Sequence, residues 1–163
     1  MDMVQVTNLD KCDKKQMQED LGSPSDLQPI EQQEENGLRY YAMSQKHENI
    51  IELFQRHADI ALQKRVKAAG QYVCVDVKHP FRLSVGANLS AQPGQLLVLL
   101  PLYEEAFCVQ YRSPKSGEWR ELPWEPGTYV SITGGSAVRV TSGGAVYGLS
   151  ILFIWRATPS NPT

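Results

Sequence analysis

The segments that decide the fold are YVCVDVK (72–78), QLLVLLP (95–101), AFCVQYR (106–112), TYVSIT (128–133), AVRVT (137–141) and AVYGLSILFIW (145–155). They are short and rich in Val, Ile, Leu and aromatic residues. Turn clusters such as SPKSG, EPG, TGGS and TSGG separate them. This alternation is typical of antiparallel sandwiches and barrels. We therefore predict a mainly β protein with an antiparallel sandwich or jelly-roll domain.

The apolar pattern within these segments indicates where each strand lies. In 72–78, apolar residues alternate with polar ones, which predicts a strand with one buried face. The segments 95–101 and 145–155 are apolar on both faces, which predicts central strands. If the last strand pairs on both edges, its neighbours are distant in sequence. That arrangement favours Greek-key or jelly-roll connectivity over a simple meander.

Residues 44–69 have a helical pattern. Apolar side chains from Ile50 through Phe54 to Ala61 recur at helical spacing, and Ser44 is suited to cap the amino end. We predict one short helix around 46–57. Its apolar stripe must be buried, and we expect it to cover an open end of the sandwich.

The amino-terminal region differs in charge from the rest of the chain. Residues 1–37 carry nine acids and three bases, a net charge of −6, whereas 38–163 carry nine acids and thirteen bases, a net charge of +4. A polar, aperiodic segment buries too little apolar surface to fold alone. We predict an extended or disordered arm over 1–43, a helical lead-in over 44–69 and a β-sandwich domain over 70–163.

The composition of the chain leads to expectations about membrane insertion, secretion and the redox state of its cysteines. No run of 18 apolar residues exists in the 163-residue chain, so no membrane span is expected. The amino terminus is acidic and does not resemble a secretory signal. Cys12, Cys74 and Cys108 are odd in number and widely spaced, which favours free thiols in a reducing compartment.

Motifs for catalysis or metal binding are absent from the sequence. His47, His57 and His79 lack the spacing of a metal pair, and no Cys-x-x-Cys occurs. No local signature supports a cysteine–histidine pair at His79. The paired glycines between the last strands fit turns rather than a phosphate-binding loop. These observations predict no catalytic, cofactor-binding or metal-binding residues, and no enzymatic activity.

Candidate contact residues fall in two places. Trp119 and Trp124 lie in GEWRELPWEPG (117–127), a loop-like segment, where tryptophan can anchor an interface. The alternative is that both rings pack beneath their own loop. Ile50 and Phe54 on the predicted helix complete the expected interface.

The order of these parts resembles the capsid proteins of picorna-like viruses. The resemblance rests on Glu48-Asn-Ile-Ile-Glu-Leu-Phe54-Gln-Arg56, which is similar to the lead-in segment before the jelly roll of those proteins, and on the final strand with its ATPSNPT tail. It implies a structural capsid subunit that assembles with other capsid subunits through its sandwich and arm. It also implies non-specific contacts to genome RNA through the basic side chains of Lys64, Arg65 and Lys67. It also implies a location in the virion, and in the host cytoplasm during assembly. The alternative function is a carbohydrate- or receptor-binding β-sandwich module.

Overall fold

A computed structural model describes residues 4–8, 15, 27–56, 71–103 and 108–156. These residues form two antiparallel sheets and a helix, α1, which is described over 45–56; Lys15 is also helical. The strands are β1 (Val4–Asn8), β2 (Pro29–Glu35), β3 (Leu38–Tyr41), β4 (Gln71–Ser84), β5 (Asn88–Ser90), β6 (Gln95–Pro101), β7 (Cys108–Arg112), β8 (Trp119–Glu121), β9 (Thr128–Thr133), β10 (Ala137–Ser142) and β11 (Ala145–Arg156).

The strand order is that of a jelly roll, which confirms the predicted fold class. One sheet has seven strands in the order β1-β9-β6-β11-β4-β3-β2, and the other has four in the order β5-β10-β7-β8. From β4 onward the chain crosses repeatedly between the two sheets, so most neighbours within a sheet are distant in sequence. As predicted, β11 and β6 are central: β11 pairs with β4 and β6, and β6 pairs with β11 and β9.

The space between the sheets is filled by apolar side chains. The alternating pattern of each strand places one set of residues there. This set includes Phe81, Leu83, Leu89, Leu97, Leu99, Val109, Leu122, Trp124, Val130, Ile132, Val138, Val140 and Val146. The core binds the two sheets together because it spans both, from Phe81 on β4 to Val138 on β10.

Helix α1 packs against the outer face of the seven-stranded sheet. Its buried residues Ile50 and Phe54 form a second core with apolar side chains of β6 and β11, which are Leu96, Val98, Leu100, Leu149 and Ile151. The prediction that the helix covers an open end of the sandwich is therefore wrong. The physical reason is that the central strands β6 and β11 are apolar on both faces, so their outer face also needs a cover.

The amino end of α1 has a reciprocal cap. Ser44 lies at the predicted N-cap position, and its carbonyl oxygen accepts the first helical hydrogen bond from the Glu48 N–H. The Ser44 backbone N–H donates to Nδ1 of His47 at 3.1 Å, and the Ser44 Oγ lies 2.9 Å from the same nitrogen. A side chain three residues inside the helix thus returns to the cap, as in a capping box.

This cap makes stability depend on pH. Burial, and then the charge of Lys46, lower the pKa of His47 below its ordinary value. Below about pH 6.5, His47 binds a proton more readily in the unfolded chain than in the folded chain. The stability contributed by neutral His47 is therefore present above that pH and is lost as the pH falls. We expect the urea concentration at the unfolding midpoint to decrease as the pH is lowered from about 7.5 to about 5.5. The variant His47→Gln should show a smaller decrease over the same pH range. An equally steep profile in the variant would contradict this role.

Three strands precede the helix and extend the seven-stranded sheet. β1 pairs with β9 at one edge, and β3 pairs with β4 and β2 at the other. They fall in the segment 1–43, for which the sequence predicts an extended or disordered arm. Strands β1, β2 and β3 of this segment are held by backbone hydrogen bonds of the sheet, which do not require apolar side chains.

Two further predictions concern membranes and thiols. Among the described residues, no helix is long and apolar enough to cross a membrane. Cys108 is a half-buried free thiol, and the side chains of Cys12 and Cys74 lie outside the described part.

Candidate functional site

A histidine lies on the inner face of the seven-stranded sheet. His79 precedes Phe81 by two residues on β4, so both side chains point to the same side of the sheet. Its direct partner on β11 is Ser150, as Gly148 is the partner of Phe81. The Ser150 hydroxyl donates to the His79 carbonyl oxygen at 3.2 Å. The register thus places two polar residues in a row of the otherwise apolar interior.

The imidazole of His79 has an unused polar atom. Its Nδ1 is sealed from solvent and has no hydrogen-bond partner among the described residues. The ring itself is half-buried and meets Tyr40 edge-on, with centroids 5.7 Å apart. A buried polar atom without a partner costs about 1–3 kcal/mol. Such an atom therefore marks a position where a bound molecule would be stabilised.

The row beside His79 is closed by aromatic packing. Phe81 is fully buried and meets Trp124 edge-on, with centroids 6.3 Å apart. Gly148 leaves the space that these rings occupy, because a Cβ there would lie 2.6 Å from Cζ of Phe81 and 3.0 Å from Cζ2 of Trp124. The glycine therefore permits two large rings to fill the floor of the site.

The described residues do not fit a metal centre. No group of three or more His, Cys, Asp or Glu side chains comes together in the ranges that the structure covers. The described neighbours of His79 are the Tyr40 ring and the Ser150 hydroxyl, which donates to the His79 carbonyl oxygen, and neither completes a metal ligand set. We derive no chemical step through a metal from this arrangement.

The four predicted interface residues lie in different environments. Ile50 and Phe54 are buried within the chain, beneath α1. Trp124 is also buried, and its Nε1 donates to the Tyr147 carbonyl oxygen at 3.4 Å; this is the packed position that the sequence leaves open as an alternative. Trp119 begins β8, in a segment predicted as loop, and its ring is half-buried on the outer face of the four-stranded sheet. The structure does not bring the four together.

Sequence reasoning misses the pairing of His79 with Ser150. A metal ligand set and a cysteine–histidine pair are the arrangements that the sequence tests at His79, and neither involves Ser150, which lies 71 residues away. The sequence does contain one signal for the inward position of His79. His79 lies at an alternate position of the same strand as Phe81 and Leu83, which are in the core. The predicted RNA contacts, Lys64, Arg65 and Lys67, lie outside the described residues.

Comparison with known proteins gives likeness in structure alone. No family model matches the sequence, and no curated protein matches it. A prolyl-4-hydroxylase from Pseudomonas putida shares the fold with a TM-score of 0.62 at 10% identity, over 96% of this chain and 94% of that one. A Shewanella oneidensis protein named as an oxygenase gives 0.54 at 12% identity, over 98% and 83%. The chain is similar in fold to these proteins over nearly its full length.

These comparisons overturn the functional predictions. The two solved structures reported above are a hydroxylase and a protein named as an oxygenase, and the predicted kinship with viral capsid proteins and the role of capsid subunit are wrong. The carbohydrate- or receptor-binding alternative has no support from the same matches. The prediction that the chain is not an enzyme is contradicted, because its structural neighbours are enzymes. The physical reason for the error is that very different proteins use the same β scaffold.

Proposed function

We propose that this chain is an enzyme with an oxidative reaction of the hydroxylase or oxygenase class. The observation that carries the proposal is the fold shared with the Pseudomonas putida hydroxylase over nearly the full length of both chains. The oxygenase match over 98% of this chain supports the same class. Proteins that share a fold can have different activities, so the proposal also depends on the residues of the site.

The site proposed for this reaction is the row at His79. The unpartnered Nδ1 is suited to exchange a hydrogen bond with a polar group of the substrate, and imidazole is a common general acid or base in enzymes. Tyr40, which meets the His79 ring edge-on, adds aromatic surface beside it. The expected substrate is therefore a small molecule or side chain with an apolar body and one polar group.

The test is oxygen consumption by the full chain. We would assay a panel of prolyl peptides and small 2-oxo acids, each with and without added divalent transition metals, and identify products by mass spectrometry. The expected result is oxygen uptake with a product that is oxidised relative to its substrate. If no member of the panel is oxidised by protein that is folded by circular dichroism, the proposed class is wrong.

Variants then test the assignment of His79. General acid–base groups contribute about 100-fold or more to rate, so we expect His79→Ala to lower the rate of oxygen uptake by at least that factor. The matched control is His47→Gln, which changes the other described histidine and lies at the start of α1, away from the sheet interior. An active His79→Ala enzyme with an unchanged rate would remove His79 from the site.

A further inference from the structure

Two arginines and a tryptophan are stacked on the outer face of the four-stranded sheet. The Cζ atom of Arg139 on β10 lies 4.0 Å from the ring centroid of Trp119, and that of Arg112 on β7 lies 4.9 Å from the same centroid. Gln110, between them in the sheet, accepts from Nη2 and Nε of Arg139 at 2.8 and 3.0 Å. We call Gln110, Arg112, Trp119 and Arg139 the arginine face.

The face points away from the core because of strand alternation. Val109 on β7 and Val138 and Val140 on β10 are buried between the sheets, so Arg139 and its neighbours at alternate positions point outward. The register confirms that these residues are adjacent: Arg139 is opposite Gln110, and Arg112 is opposite Trp119. The arginine face is thus separated from the His79 site by the whole inter-sheet core.

The positive charges of the two guanidinium groups are not neutralised by a described carboxylate. Among the residues that the structure describes, neither Arg112 nor Arg139 makes an ion pair with a carboxylate. Both groups are positioned by a ring, and Arg139 also by the amide of Gln110, so part of the entropy cost of ordering an arginine has already been met. Two like charges held near one ring favour an anionic partner, since an anion would relieve their mutual repulsion.

We propose that the arginine face is a docking surface for an acidic peptide segment of another protein, bound in extended form with carboxylates two residues apart. Because the two Cζ atoms lie 4.0 and 4.9 Å from one centroid, they are at most about 9 Å from each other. Alternate side chains of an extended strand are about 7 Å apart on one side of the backbone. Each guanidinium then receives one carboxylate, with the paired N–H geometry that arginine offers.

The charge of the surroundings favours a peptide over a nucleic acid. The whole chain has a net charge of −2, and Glu121 lies on the same outer face, opposite Gln110 in the register. Nucleic-acid modules present a broad basic surface with many phosphate contacts. A patch of two cations beside a carboxylate matches a short ligand with two charges.

The test measures binding of labelled peptides by fluorescence anisotropy at low and moderate salt. One extended peptide carries an Asp-x-Asp pair, and a matched peptide carries Asn-x-Asn. We expect the acidic peptide to bind at least about tenfold more tightly, with affinity falling as salt is added. The joint substitution Arg112→Gln with Arg139→Gln should lower its affinity about tenfold or more. The control Arg56→Gln, on exposed α1 beside Glu52, should leave it unchanged.

Other outcomes overturn the proposal. Equal binding of the two peptides, or equal binding by the double variant and the parent, would show that the arginine face does not read carboxylates. Tighter binding of a single-stranded oligonucleotide than of the acidic peptide would assign the surface to a different class of ligand. A circular dichroism spectrum of the double variant that matches the parent ensures that loss of binding reports on the surface.

Discussion

Phe54→Ala is expected to lower the free energy of unfolding by about 3–5 kcal/mol. The side chain is 2% exposed and lies between α1 and the outer face of the seven-stranded sheet. Its ring meets Tyr129 edge-on, with centroids 5.1 Å apart. Truncation would remove this contact and leave a cavity beneath the helix. Because α1 is also packed through Ile50 and Leu53 in the same core, it cannot easily shift to fill that cavity.

Chemical denaturation followed by circular dichroism measures this effect. Gln55→Ala is the matched control, since Gln55 is the exposed neighbour on the same helix and alanine is a strong helix former. We expect the control to stay within about 0.5 kcal/mol of the parent. A Phe54→Ala midpoint equal to that of Gln55→Ala would show that the helix is not docked on the sheet through this ring.

The pattern of the later strands can be predicted because it is local. Strands β6, β7, β9, β10 and β11 coincide closely with five of the six apolar segments, whereas β4 contains the segment 72–78 and continues to Ser84. The two-sided apolar character of 95–101 and 145–155 indicates that β6 and β11 are central. The short strands β5 and β8 escape sequence reasoning. Each has three residues, too few to establish an alternation.

The position of α1 depends on information that is not local. The helix begins at 45, beside its predicted start, but the surface it covers follows from which faces of β6 and β11 remain exposed after the sheets pair. The environment of His79 likewise depends on contacts between residues that are distant in sequence. His79 gains its environment from Ser150 and Tyr40, which reach it through sheet pairing and a ring contact rather than through sequence spacing.

The two tryptophans show most clearly what cannot be predicted from the sequence. Trp119 and Trp124 share one segment with similar neighbours, and the sequence supports an interface or a packed position for both. In the structure they lie on opposite sides of the four-stranded sheet: Trp124 faces the core, whereas Trp119 lies among outward-pointing arginines. Trp124 lies three residues beyond the end of β8, so the alternation of that strand does not determine the side on which its ring lies.

Trp124→Ala is accordingly expected to cost about 3–5 kcal/mol of stability. The ring is 8% exposed and packs against Phe81 in the row that contains Gly148. Its truncation would empty much of that row. The loss of its Nε1 hydrogen bond adds little, because the Tyr147 carbonyl oxygen also accepts from the Leu102 N–H at 3.2 Å and keeps a partner.

Trp119→Ala is the matched comparison for this prediction. It removes an equally large ring from the outer face, where the loss of exposed cation–π contacts costs about 1 kcal/mol. Denaturant midpoints of the two variants, measured side by side, should therefore differ widely, with Trp124→Ala the less stable. Similar small losses in both would place Trp124 outside the core. A larger loss in Trp119→Ala would mean that the outer stack, rather than the inner row, holds this end of the sandwich together.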